Sequence, residues 1–273
     1  MTCIAVIPAR FGASRFPGKP LAQDTGKYLV QHVYEQVDSC PLIDRVVVAT
    51  DDRRILDAVN GFGGACVMTR PDHQSGTDRI AEAAEQLDLD PGDLVLNVQG
   101  DEPEVSIDAL RAVIECFQAL SEGHGAENTV FTLAAPFAAD GPVQGSGSPE
   151  DPNCVKVVVN QAGFALYFSR ALIPYPRESG GKIGSAAVAG DRSGRPESYL
   201  LHVGVYGFRL DTLRTIARQP RNSRLERCES LEQLRWMDHG MRLRVVTVES
   251  AAPGIDTPDD YAAFVDRYRR HAQ

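Results

Sequence analysis

The chain has 273 residues, 43% of them apolar and 24% charged, with a formal net charge of −9 and a pI of about 5.2. That length suits one large α/β domain or a domain with a sizeable insert, and the acidic balance excludes bulk binding of duplex nucleic acid while leaving room for a local basic loop that holds one anionic ligand. No apolar run reaches the length of a membrane span, and the first residues enter a strand with no basic or long apolar leader, which predicts a cytoplasmic protein without membrane insertion.

The first strand is Ile4-Ala5-Val6-Ile7, which Pro8 is expected to end because it has no N–H for the ladder. A loop with Arg10, Arg15 and Lys19 follows, interspersed with Gly12, Ser14 and Gly18. A helical pattern then begins at Tyr28, Leu29, His32, Val33 and Gln36. Residues 45–49 read as a buried strand, and Ile55, Leu56 and Val59 as a helix face. A third strand covers 65–69, a helix 77–88, and a fourth strand 94–98. Ser106 is the expected N-cap of a helix that turns Leu110, Val113, Ile114 and Phe117 inward. This βαβα order predicts a doubly wound, mostly parallel sheet, whose ligands lie outside the carboxyl ends of the strands.

The second half changes character. Residues 140–153 read as a Gly/Pro-rich loop, and 155–170 as a β-hairpin that turns at Asn160–Gly163. Residues 177–197 show little periodicity. HVGVYGFR (202–209) reads as a strand. Helices are expected over 211–218, capped by Asp211, and over 224–239, stopped by Gly240. A last strand covers 243–248, and a last helix opens at Thr257-Pro258. The whole chain, 1–273, is expected to be a single domain with an excursion at about 150–210.

The six cysteines are scattered and form no C-x-x-C pair, so they read as reduced small hydrophobes, and no zinc pattern is present. Strand, basic Gly-containing loop, helix is the plan of a phosphate cradle, although neither a Walker loop nor G-x-G-x-x-G is present. The fourth strand ends in NVQGDEP (97–103), which puts Asp101 at the carboxyl edge of the sheet, where it can hold Mg²⁺ on a bound triphosphate. Asp256 in GIDTPDD (254–260) would complete that site if the two ends converge; read alone, the segment is a helix start. Ser75 and Gly76 open a helix whose free N–H groups suit an anion, and Arg79 lies in its first turn, while His73 either braces the loop or touches ligand. Arg170 can clamp a carboxylate bidentately. His202 and Tyr206 share a strand side by spacing, as Glu229 and Gln233 share a helix face.

The segments IPARFGASRFPGKPL, VVVATDD, MTRPDHQSGTDRIAE, LNVQGDEP, NCVKVV, ALYFSRALIPYPR, HVGVYGFR, ESLEQLR and GIDTPDD together resemble the 3-deoxy-manno-octulosonate (Kdo) cytidylyltransferases, in order and over nearly the whole chain. The resemblance implies an enzyme of nucleotidyltransferase fold. It would transfer CMP from CTP to the anomeric 2-hydroxyl of Kdo, with loss of pyrophosphate, for lipopolysaccharide synthesis. It implies that Arg10, Arg15 and Lys19 meet the CTP phosphates, with Pro8 and Ala9 near the cytosine. Ser75, Gly76 and Arg79 would help hold the nucleotide, and Asp101 and Asp256 would bind Mg²⁺. Gln99, Arg170, His202, Tyr206, Glu229 and Gln233 would line the sugar site. A homodimer is implied, with the hairpin region as its contact. The Gly/Ser-rich stretch at 177–199 departs from the family pattern, so an 8-amino-Kdo or a sialic acid stays open as the sugar. A noncatalytic nucleotide-binding regulator is the rival of a different class.

Overall fold

The computed structural model describes residues 1–12, 15–123, 125–137, 141–142, 147–177 and 199–271. In chain order its first elements are β1 (Cys3–Ala9), α1 (Leu29–Asp38), β2 (Arg45–Thr50), α2 (Arg53–Gly61), β3 (Cys66–Met68), α3 (Gly76–Glu85), β4 (Leu94–Asn97) and α4 (Ile107–Glu122). There follow β5 (Thr129–Pro136), β6 (Lys156–Val159), β7 (Ala165–Ser169), β8 (Leu200–Arg209), α5 (Leu210–Ala217), α6 (Arg224–Glu229), α7 (Glu232–Asp238), β9 (Arg242–Thr247) and α8 (Pro258–His271). They form two compact units. The first contains residues 1–115, 205–217 and 252–273, and the second residues 116–204 and 218–251.

In the first unit the strands run β3-β2-β1-β4, all parallel, and the carboxyl half of β8 lies antiparallel on β4. Strands covered on both faces need continuous apolar runs rather than alternation. Cys3, Ile4, Ala5, Val6 and Ile7 supply one, as do Val46 to Ala49 and Leu94 to Leu96, all buried. The order steps outward from β1 to β3 and then returns to the other side of β1 for β4. That reversal leaves a crevice between the carboxyl ends of β1 and β4, the usual ligand position in such sheets. The last helix, α8, closes the unit by packing Tyr261, Phe264 and Val265 with Leu29 and Ile255.

Three local expectations need correction here. Pro8 does not end β1: pairing with β2 continues through Pro8↔Ala49 and Ala9↔Thr50, while pairing with β4 stops at Val6↔Asn97. Beyond Val6 the strand has only one neighbour, so the proline's missing donor breaks no second ladder. The helix expected at 77–88 starts at Gly76, with Ser75 as its cap, and Thr77 is buried. Asp211 is not a cap, because α5 already includes Leu210, whose N–H donates to the Asp93 carbonyl at 3.0 Å.

In the second unit β5 and β9 pair in parallel, and β6 pairs antiparallel with β7 and with the start of β8. The β6–β7 hairpin turns where expected, with the Gly163 N–H on the Asn160 carbonyl at 2.9 Å. β5 was not anticipated. The single helix expected over 224–239 is two, separated at Ser230, which takes a left-handed conformation (φ 53°, ψ 47°). The buried ammonium of Lys156 donates to the carbonyls of Asp151, Cys154 and Arg170 at 2.9, 2.6 and 2.6 Å, which ties the 151–154 turn to the end of β7. The atypical 177–199 stretch falls mostly outside the described residues.

Candidate active site

A cavity of about 300 Å³ opens at the switch point of the first unit. Its floor is the end of β1, Pro8 to Arg10, and the end of β4, Gln99 to Asp101. These two strand ends touch. A methyl group built on Gly100 would sit 2.9 Å from the Pro8 carbonyl oxygen, so only glycine permits the approach.

The basic loop forms one wall. Gly18, in the left-handed region at φ 75°, donates its N–H to the Phe11 carbonyl at 2.9 Å and folds the chain back. Lys19 then opens a short 3₁₀ turn, Lys19–Leu21, with its ammonium directed into the cavity. There it donates to Asp101 Oδ2 at 2.7 Å and to the Ile255 carbonyl at 2.6 Å. Arg15 pairs with Asp256 Oδ1 at 2.9 Å. Arg10, which is exposed, makes no ion pair among the described residues.

The opposite wall is the entry to α3. Ser75 Oγ accepts the Asp78 N–H at 3.2 Å as N-cap, and Ser75 and Gly76 line the cavity at the positive end of the helix. Arg79 lines the cavity but is nearly buried. Its guanidinium is fixed by Thr69 Oγ1 at 2.6 Å and Asp51 Oδ2 at 2.7 Å, so its charge is matched within the protein. His73, Gln74 and Pro20 also border the space. Sequence reasoning left Gln74 and Pro20 unassigned. Their signal was adjacency to Ser75 and Lys19.

Asp256 precedes α8, where Asp260 accepts the N–H groups of Asp256 and Thr257 at 3.0 and 2.8 Å. The Thr257 hydroxyl in turn accepts the Asp260 N–H at 3.2 Å. This reciprocal cap fixes the backbone that carries Asp256. Beside Asp101, burial pushes the Glu102 carboxyl up to about 8, and the Asp101 charge adds to the effect.

The cavity thus gathers Pro8, Ala9, Arg10, Arg15, Lys19, Ser75, Gly76, Arg79, Gln99, Asp101 and Asp256, eleven of the residues the resemblance assigns to the site, with His73 beside them. It does not gather the rest. Tyr206 belongs to the same unit but is buried on β8, opposite Asn97 in the register and stacked at 6.1 Å on Phe208. Arg170, His202, Glu229 and Gln233 belong to the second unit.

Within that unit Arg170 and Glu229 do meet, in a way the sequence did not suggest. Glu229 accepts from Ser169 Oγ at 2.6 Å and from the Arg170 N–H at 2.9 Å. The Arg170 guanidinium donates to the carbonyls of Glu229, Pro152 and Ser230 at 2.7, 2.8 and 3.4 Å. His202 packs edge-on against Phe168 at 5.0 Å and shares a 3.0 Å contact with Thr132 Oγ1. Desolvation pushes its imidazole down to about 4, which keeps it neutral. Gln233 is buried in α7.

The cytidylyltransferase family model matches residues 4–243. The 3-deoxy-manno-octulosonate cytidylyltransferase of Syntrophotalea carbinolica is 46% identical over 262 residues, which is 95% of this chain and 96% of that protein. A solved structure of CMP:2-keto-3-deoxy-manno-octonic acid synthetase complexed with CTP is 37% identical and superposes with a TM-score of 0.83, covering 99% of this chain and 100% of that one. A 4-diphosphocytidyl-2C-methyl-D-erythritol synthase, 16% identical with a TM-score of 0.57 over 97% of this chain and 96% of that one, shares the fold. The chain belongs to the 3-deoxy-manno-octulosonate cytidylyltransferase family.

Proposed function

We infer that this protein is a nucleotidyltransferase that transfers CMP from CTP to the anomeric 2-hydroxyl of 3-deoxy-D-manno-octulosonate, giving CMP-Kdo and pyrophosphate for lipopolysaccharide synthesis. The observation that carries this reading is one cavity at the switch point lined by Arg10, Arg15 and Lys19 together with Asp101 and Asp256. Cations in that number suit a triphosphate, and paired carboxylates suit the divalent ion that accompanies it.

Mg²⁺ fits the donor set. Among the described residues no cluster of three or more His, Cys, Asp or Glu side chains is gathered. The cavity lining carries two carboxylates, Asp101 and Asp256, a set that would leave further positions to phosphate oxygens and water, as Mg²⁺ prefers. Asp101 and Asp256 would hold it. When bound, the ion supplies charge neutralisation at the phosphates and lowers the pKa of a hydroxyl near it.

The chain's own residues position and neutralise. Arg10, Arg15 and Lys19 take the phosphate charge, Pro8 and Ala9 lie on the cytosine side, and Ser75 and Gly76 present the amides of α3. Arg79, held by Asp51, braces that wall. The sugar hydroxyl oxygen bonds to the α-phosphorus while the α–β bridging P–O bond breaks. Pyrophosphate leaves with that electron pair, and the hydroxyl proton passes to solvent. Positioning and charge stabilisation carry most of the rate in such transfers. Sugar-handling roles fall to Gln99 and Tyr206 in the first unit and to Arg170, His202, Glu229 and Gln233 in the second, each unit taken by itself, with Arg170 offering the N–H groups not committed to carbonyls. The protein would act in the cytoplasm as a homodimer through its hairpin region, on CTP and an acidic 2-keto-3-deoxy sugar, without nucleic acid. No helix among the described residues is long and apolar enough to cross a membrane.

The test is pyrophosphate release from CTP, Mg²⁺ and Kdo, with 8-amino-Kdo and sialic acid as comparison substrates. Kdo is expected to be preferred, and CTP binding without pyrophosphate release would indicate a regulator instead. Asp101→Asn and Asp256→Asn are each expected to lower turnover at least about a hundredfold, the scale of several kcal/mol of lost charge stabilisation. A folded variant with a normal rate would remove that residue from the metal site.

A further inference from the structure

The segment between β3 and α3 forms a wall of the cavity, yet among the described residues no backbone–backbone hydrogen bond outside the regular elements fastens residues 70–74. Pro71 lacks an N–H altogether. Among the described residues the hydrogen bonds that fasten the segment run to one side chain behind it. Glu82, on α3, accepts the Arg70 N–H at 3.1 Å on Oε1 and the Arg70 Nε at 3.2 Å on Oε2. The same Oε2 meets His73 Nε2. His73 has its side chain only 7% exposed and borders the cavity, with Gln74 and Ser75 following it. Glu82 itself does not reach the cavity.

We propose that Glu82 is a positioning residue for the nucleotide: by gripping Arg70 and His73 it holds the 70–75 wall in its binding shape. The proposal rests on reading the cavity as the CTP site. An unfastened segment must be ordered when ligand binds, at a cost in conformational entropy. A carboxylate that orders it beforehand removes part of that cost. Because Glu82 acts through the wall, its loss weakens CTP binding and leaves the handling of the second substrate unchanged.

The experiment compares the full chain with Glu82→Ala, Glu82→Gln, His73→Ala and the Glu82→Ala/His73→Ala double variant. Calorimetric titration with CTP reads affinity, hydrogen exchange of 70–75 reads fastening, and steady-state kinetics separate the two substrates. Glu82→Ala is expected to weaken CTP about tenfold, raise the KM for CTP but not for the sugar, and speed exchange at 70–75. Glu82→Gln keeps a carbonyl acceptor and is expected to lose about threefold; it carries the test if the alanine variant does not fold. The double variant is expected to bind no more weakly than Glu82→Ala. Unchanged CTP affinity in a folded Glu82 variant, with or without lower thermal stability, overturns this proposal alone. Failure of the wild-type chain to bind CTP overturns the nucleotide reading and the proposal with it.

Discussion

Gly100 shows how little space the strand ends leave one another. Its missing side chain lets β4's exit lie against the Pro8 carbonyl, and the clash in an alanine variant would be with backbone, which cannot swing aside. Gly100→Ala should therefore cost about 1–3 kcal/mol in a urea titration and raise the KM for CTP, since Pro8 and Asp101 move together. Wild-type stability and kinetics would mean that the backbone relaxes without harm. Lys19 and Arg10 make a second comparison. Lys19 also joins Asp101 to the Ile255 carbonyl, whereas Arg10 makes no ion pair among the described residues. Alanine at either position is expected to raise the KM for CTP more than that for the sugar, and only Lys19→Ala is expected also to lower the melting temperature. At this scale the sequence was most informative about the basic loop and Asp101, which follow the ends of β1 and β4, whereas Asp256 stands before a helix and read alone as a helix start. It was least informative about Arg170. The identity of an arginine says nothing of whether its fork meets a ligand or, as here, the carbonyls of Glu229, Pro152 and Ser230.

Among the elements, the parallel strands were legible because burial on both faces writes itself as an unbroken apolar run. β5 carries a buried run, Val130 to Ala135, apolar but for Thr132, and went unrecognised because it follows the polar turn after α4 and precedes a Gly/Pro-rich stretch, with no helix among the described residues before β6. The division between α6 and α7 was not legible at all. Serine has no strong reason to stop a helix, and the break combines a local cap, in which the Leu231 N–H returns to the Glu226 carbonyl at 3.3 Å, with a tertiary bond, in which the Ser230 carbonyl accepts from Arg170. Holding a serine at φ 53° strains the backbone, by about 1 kcal/mol, which glycine does not incur. Ser230→Gly should accordingly raise the urea midpoint by the equivalent of about 0.5–1 kcal/mol. A lower midpoint would mean that the serine side chain contributes more than its conformation costs.

The stability of the whole molecule should carry the signature of His202. Its pKa lies at about 4 in the folded protein against 6.5 for the free side chain, through desolvation. The unfolded chain therefore takes up a proton near neutrality that the folded one refuses. The imidazole's contribution is fully present above about pH 6.5 and is lost as the pH falls toward 4, with a slope approaching about 1.4 kcal/mol per pH unit. In His202→Gln that component should vanish, so the stability difference between wild type and variant should shrink on acidification. A difference independent of pH would show that the histidine titrates normally.

The first unit is assembled from three separated stretches of chain, and the last of them, 252–273, supplies both Asp256 and the Ile255 carbonyl that holds Lys19. The Ile255 N–H also binds the Asp101 carbonyl at 2.9 Å, and the Tyr261 hydroxyl accepts the Asp24 N–H at 2.8 Å. During synthesis the N-terminal strands emerge early but must wait for residues 252–273, because the Asp256 carboxylate and the Ile255 carbonyl that holds Lys19 come from there. A nascent chain arrested before residue 252 would thus carry the parallel strands β1 to β4 yet grip no nucleotide.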